Sequence, residues 1–143
     1  METLSSFSSE VEIYSIDEAF LGLNGFESYE LNTYCRHIRQ TIKRWVGIPV
    51  SIGVAPTKTL SKIANHLAKK QPDYKGVCIL KNKIEIKKAL ELTSIEEVWG
   101  IGRRLSLFLK KYNIHNAYQF SQMDRGWIRK NMGVVGELSL IHI

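Results

Sequence analysis

The chain has 143 residues, 44% of them hydrophobic and 24% charged, which is room for one domain or two small ones and too apolar a mix for disorder. No apolar run approaches the ~20 residues that span a bilayer, and Met1 to Glu10 lacks the basic end and apolar stretch of a signal peptide, so a cytoplasmic protein is expected. The net charge of +6 is unevenly spread: residues 1–35 hold seven acids and no Lys or Arg, while residues 36–143 hold all 20 basic residues and the other seven acids. The plain reading is an uneven, solvated surface; the sharper one is an acidic site beside a surface for a polyanion. Cys35 and Cys78 have no CxxC spacing and make neither a disulfide framework nor a zinc site. His37, His66, His115 and His142 show no metal-ligand spacing either.

In chain order, Val11 to Leu23 reads as a β-hairpin, β-branched and aromatic on both arms, with Asp17-Glu18 at the turn. Tyr29 to Val46 reads as an amphipathic helix: Leu31, Tyr34, Cys35, Ile38, Ile42, Trp45 and Val46 form one stripe, and Gly47 and Pro49 end it. Val50 to Ala55 is a short strand. Lys58 to Lys70 is a second helix with Leu60, Ile63, Ala64, Leu67 and Ala68 inward, broken by Gln71-Pro72-Asp73. Gly76 to Leu80 is another strand, and Lys81 to Lys88 a basic connector running into a helix. From Leu92 only short helices follow. Thr93 or Ser94 caps the first of these, with Glu96 and Glu97 near its positive end. Gly100-Ile101-Gly102 interrupts it. Arg103 to Tyr112 resumes with Leu105, Phe108 and Leu109 inward, and Asn116 to Met123 and Gly126 to Met132 are two more. The boundary falls near residues 80–90.

Two adjacent carboxylates, Asp17 and Glu18, lie between apolar strands with no basic residue before Arg36. Half-buried carboxylates without a counter-charge are costly, and a hard divalent cation such as Mg²⁺ resolves that cost. An Asp-Glu pair is also ordinary turn chemistry, so the pair alone leaves both readings open. Gly100-Ile101-Gly102 between helices is either a tight turn or a helix-hairpin-helix, whose backbone N–H groups at a helix N-terminus bind phosphate. Arg103, Arg104, Lys110 and Lys111 add charge beside it. Trp99 and Phe108 read as core rather than base-stacking groups.

Three segments carry a resemblance. Val11-Glu12-Ile13-Tyr14-Ser15-Ile16-Asp17-Glu18-Ala19-Phe20-Leu21 resembles the central palm motif of the Y-family (lesion-bypass) DNA polymerases. The run from Ser51 to Asn65 resembles their next palm motif. Val98-Trp99-Gly100-Ile101-Gly102-Arg103-Arg104-Leu105 resembles the start of their thumb, and its wording points to the UmuC-like branch. The three come in family order and span about residues 1–137.

The resemblance implies an α+β fold: a partial ferredoxin-like palm over residues 1–80, then a small all-helical thumb with a helix-hairpin-helix over 81–143. It implies an error-prone translesion polymerase of DNA repair and the SOS response. Asp17 and Glu18 would be catalytic Mg²⁺ ligands and Lys62 would bind the nucleotide triphosphate, with Lys58 a weaker candidate for the same region. Gly100, Gly102, Arg103 and Arg104 would bind DNA. The implied partners are primer-template DNA, deoxynucleoside triphosphates, the processed UmuD dimer and the RecA filament.

Hairpin, helix and strand in that order fit a ferredoxin-like palm without its first strand and most of its first helix. In the family that part carries the other catalytic aspartate. The chain is therefore expected to start in mid-domain and to be inactive and only marginally stable alone. Met1 to Ser9 reads as the last turns of that helix, with Leu4 and Phe7 as core contacts. The tail from Leu138 to Ile143 departs from the family pattern. Two other readings stand beside this one: a non-enzymatic helix-hairpin-helix DNA-binding module, which leaves the carboxylates unexplained, and a palm-type nucleotidyl cyclase, which leaves Gly100-Ile101-Gly102 unexplained.

Overall fold

A computed structural model describes residues 2–23 and 30–143. It holds two short β-ribbons, one long helix laid against them and a helical second half. β1 (Val11–Ile13) and β2 (Ala19–Leu21) pair antiparallel, in the register Val11↔Leu21, Glu12↔Phe20 and Ile13↔Ala19. The backbone N–H groups of Tyr14 and Ser15 both donate to the Glu18 carbonyl, at 3.0 and 3.1 Å, and close the connection. β3 (Ile52–Val54) and β4 (Val77–Ile79) pair parallel, which requires a crossover; α2 (Lys58–Lys70) supplies it.

The ribbons are separate sheets. A largely apolar cavity of about 360 Å³ lies between β2 and β3, lined by Phe20, Leu21, Ile52 and Val54, with Ile38 and Ile42 also on its wall. Those last two belong to α1 (Leu31–Val46), which Glu30 caps by accepting from the Asn32 and Thr33 N–H groups and Gly47 ends at φ 81°. Tyr29, expected as the first helical residue, lies outside the described residues. Cys35, Ile38 and Ile42 are buried as the stripe requires, but Trp45 is 66% exposed and Val46 49%.

The N-terminal segment departs from expectation. Glu2–Ser6 is a 3-10 turn, not the end of an α-helix, and Met1 lies outside the described residues. Phe7 packs edge-on against Tyr34 and His37, and the Tyr34 hydroxyl donates to the Phe7 carbonyl at 2.7 Å.

All five apolar residues assigned inward on α2 are buried. Gly53 lets β3 touch this helix: a Cβ there would lie 2.1 Å from the Asn65 nitrogen and 2.4 Å from the Ser61 carbonyl oxygen. The basic connector is largely helix, α3 (Lys83–Glu91), because Asn82 caps it by accepting from the Glu85 N–H. The helix expected after Leu92 is only a 3-10 turn, Ile95–Glu97, and neither candidate cap acts through its side chain. The Thr93 hydroxyl donates back to the Ala89 carbonyl at 2.8 Å, a bond that competes with capping, while Ser94 bridges Asn116. α4 (Arg103–Lys111) and α5 (Ala117–Ser121) follow, the latter with an Asn116–Gln119 capping box. α6 (Arg125–His142) runs ten residues beyond the expected end at Met132, through a kink at Gly133, φ 75°.

One buried cluster runs from Leu60 to Met132. It joins α2 and β4 to Ala89, Leu90, Ile95, Leu109, Phe120 and Ile128.

Candidate active site

The hairpin turn places Asp17 in solvent and Glu18 half-buried. The Ser15 hydroxyl donates to Asp17 Oδ1 at 2.9 Å. Glu18 is not the uncompensated carboxylate that its sequence neighbours suggested: Lys62 Nζ stands 3.5 Å from its Oε1. The counter-charge comes from α2, across the fold. The bare-carboxylate argument for a metal is thereby weakened, while the two expected site residues from distant segments come together.

Lys62 sits above aromatic rings. Its Nζ is 4.4 Å from the Tyr14 ring centre and 5.2 Å from that of Trp99. The Trp99 indole N–H donates to the Tyr14 hydroxyl at 3.1 Å, the two rings meet edge-on at 5.3 Å, and Phe20 stacks on Trp99 at 5.9 Å. Trp99 is thus partly exposed and ties the Gly100 loop to the hairpin, where a core position was expected. Phe108 does pack against the core, stacked on Trp127.

α2 carries Lys58, Lys62, His66 and Lys70 at four-residue spacing, hence on one face. Each meets an acid from another element. Lys58 pairs with Glu12 of β1, Lys62 with Glu18, and His66 and Lys70 both with Glu97, at 3.1 and 2.9 Å. Lys58 Nζ also lies 5.3 Å from the Phe20 ring centre. His66 Nε2 is buried and within ion-pair reach of Glu97 without hydrogen-bond geometry. Burial pushes the Glu97 carboxyl up, but the Lys70 hydrogen bond and the charges of Lys70 and His66 outweigh it and hold it below the usual carboxylate range. Burial pushes the Cys35 and Cys78 thiols up to about 11, so neither is a thiolate at neutral pH.

Asp17 and Glu18 are the carboxylates available to a metal here. Among the described residues no cluster of three or more His, Cys, Asp or Glu forms. Two hard oxygen donors on a solvent-facing turn suit Mg²⁺, which commonly takes one or two carboxylates and fills its shell with water and substrate phosphates.

Beyond Trp99, Gly100 is at φ 95°, and a Cβ there would meet Ser139 Oγ at 2.2 Å. The Ser139 hydroxyl donates to the Trp99 carbonyl at 3.1 Å, so the tail that departs from the family pattern packs against this loop. Gly102 is the cap of α4 and offers it no side chain, which leaves first-turn N–H groups for an outside acceptor. Arg103 and Arg104 flank them, exposed and in no ion pair with a described residue. Lys110, by contrast, pairs with Glu96 at 3.3 Å. The segment before the loop is a single 3-10 turn, so the first arm of the expected helix-hairpin-helix is short.

Residues 1–66 match the impB/mucB/samB family. Over 139 residues the chain is 42% identical to UmuC of Salmonella typhimurium, covering 96% of this chain and 33% of that protein. Over 140 residues it is 40% identical to ImpB of Salmonella typhimurium, with the same coverage. Its backbone superposes on the post-insertion binary complex of Dbh DNA polymerase with a TM-score of 0.78 at 29% identity, covering 99% of this chain and 41% of that one. Sulfolobus solfataricus DinB gives 0.77, also at 29% identity with 99% and 41% covered. The chain spans about a third of the length of the curated relatives it matches. The chain is thus similar along nearly its whole length to UmuC and ImpB, its first 66 residues match the impB/mucB/samB family, and its backbone is similar to that of solved DNA polymerases.

Proposed function

We propose that the chain supplies the carboxylate-bearing and triphosphate-binding part of a template-directed lesion-bypass DNA polymerase, together with one of its grips on DNA. The observation that carries this reading is the meeting of Glu18 and Lys62, 3.5 Å apart, beside a hairpin that Trp99 ties to the Gly100 loop. Asp17 and Glu18 would hold Mg²⁺, and Lys62 would meet a triphosphate oxygen as a point charge. When bound, Mg²⁺ ions activate the primer 3′-hydroxyl and neutralise charge on the leaving phosphate. The protein's own part is positioning. Gly100, Gly102, Arg103 and Arg104 would take DNA backbone phosphates without regard to sequence.

Residues 1–80 are read as palm and 81–143 as thumb. Among the described residues no helix is long and apolar enough to cross a membrane, and a cytoplasmic location is proposed by kinship. The processed UmuD dimer and the RecA filament are the partners that kinship with UmuC suggests.

Titration of the chain with dATP and Mg²⁺ tests the site. Asp17→Ala and Lys62→Ala should each weaken binding, and affinity unchanged from the unsubstituted chain in both variants would refute the assignment. In a chimera where this chain replaces the matching third of UmuC, Asp17→Ala should abolish primer extension with DNA binding largely intact. Unimpaired extension would leave the DNA-binding module as the better reading.

A further inference from the structure

Lys62 is held unlike the other lysines of its helix face. Its side chain is 26% exposed, against 53% for Lys58 and 60% for Lys70. A lysine has four side-chain torsions to fix, and a solvated one spreads over many rotamers. Here the ammonium has an aromatic face on two sides, Tyr14 at 4.4 Å and Trp99 at 5.2 Å, and the Glu18 carboxylate at 3.5 Å. Ring faces attract a cation within about 6 Å.

The rings are themselves fixed. The Trp99 N–H bond to the Tyr14 hydroxyl spans 85 residues of sequence. Phe20 stacks on Trp99, and the Ser139 hydroxyl holds the Trp99 backbone from α6. The ammonium therefore sits in a built socket with one wall from the hairpin and one from the residue that precedes the Gly100 loop.

Resting on the assignment of Lys62 to the triphosphate, we propose that Tyr14 and Trp99 are positioning residues that clasp the Lys62 ammonium at the Glu18 end of the hairpin. The clasp removes most of the rotamer search before a triphosphate arrives. It also acts through ring faces, so an indole-to-phenyl exchange retains part of it and an exchange to alanine does not.

Two measurements on the 143-residue chain test this. The first is the NMR shift of the Lys62 ε-methylene protons, which ring currents should move upfield of those of Lys70, and which should move back toward the Lys70 value in Trp99→Ala. The second is dATP–Mg²⁺ affinity. Trp99→Ala should lose about three- to tenfold, between what an exposed and a desolvated cation–π contact commands, and Trp99→Phe should recover part of that loss. Tyr14→Leu, at a residue 45% exposed and hence tolerant of change, should show the same loss if Trp99→Ala fails to fold. Circular dichroism checks folding in each case. Unshifted Lys62 protons, or full affinity in Tyr14→Leu and Trp99→Ala while Lys62→Ala loses binding, would overturn the clasp and leave the lysine assignment standing. Full affinity in Lys62→Ala would overturn both.

Discussion

The two ends of the basic face of α2 solve the same electrostatic problem differently. At the N-terminal end Lys58 and Lys62 each meet one carboxylate, and Glu12 and Glu18 keep 58% and 42% of their side-chain surface in water. At the other end a single carboxylate, Glu97, with 24% exposed, receives both His66 and Lys70. Exposed one-to-one pairs are worth little and are easily exchanged for another partner. A half-buried acid that meets two partners is harder to replace, because removing it leaves the buried His66 Nε2 without the group it faces. The first end is therefore suited to meeting a ligand and the second to fastening the 3-10 turn before the Gly100 loop onto α2.

The largest change to that arrangement comes from the seat of α2 itself. Gly53→Ala drives a Cβ toward the Asn65 and Ser61 backbone and should cost about 1–3 kcal/mol in urea unfolding. It should loosen the hairpin end more than the Glu97 end, since β3 lies under the first turns of α2. Equal hydrogen-exchange rates at both ends in this variant would break the comparison.

Glu97→Ala should cost about 1 kcal/mol, and the loss should depend on pH. Because the folded carboxyl titrates below its ordinary value of 4.5, its contribution is fully present above that pH and disappears as pH falls through the lower, folded value. Wild type should thus lose stability on acidification below about pH 4.5, and Glu97→Gln should flatten that part of the curve. Parallel acid profiles would show that Glu97 fastens nothing.

Lys58→Ala should have the smallest effect, within about 0.5 kcal/mol, as exposed pairs do. A larger loss would mean that the Glu12 pair is as structural as the Glu97 one.

Much of this was legible in the chain of residues. The inward set of α2 is right residue for residue, because a strong 3.6 period over thirteen positions leaves little choice. The hairpin and its acidic turn are likewise local. The segment from Leu92 to Glu97 misled, since the Thr93 hydroxyl donates to the Ala89 carbonyl and Ser94 lies in a backbone bridge opposite Asn116, and neither side chain caps a helix. The end of α6 was missed because Gly133 reads as a stop, yet its φ of 75° lets the chain turn and continue helical. The pairing of Lys62 with Glu18 and the contact of Trp99 with Tyr14 had no local signal: they join segments that no periodicity relates. The acidic first quarter and the basic remainder gave only a general hint that the two meet.

The buried cluster from Leu60 to Met132 has one further bearing. It takes in Leu80, Ala89 and Leu90 together with residues on both sides of that stretch, so bending between residues 80 and 90 would open the core. The hairpin contributes no residue to the cluster and is held by ring contacts, hydrogen bonds and solvent-facing ion pairs. Elements secured in that way open locally at low free energy, far below the cost of global unfolding. Whatever freedom this molecule keeps at its site therefore belongs to the carboxylate arm, and a bound cation would spend part of its affinity on stilling that arm.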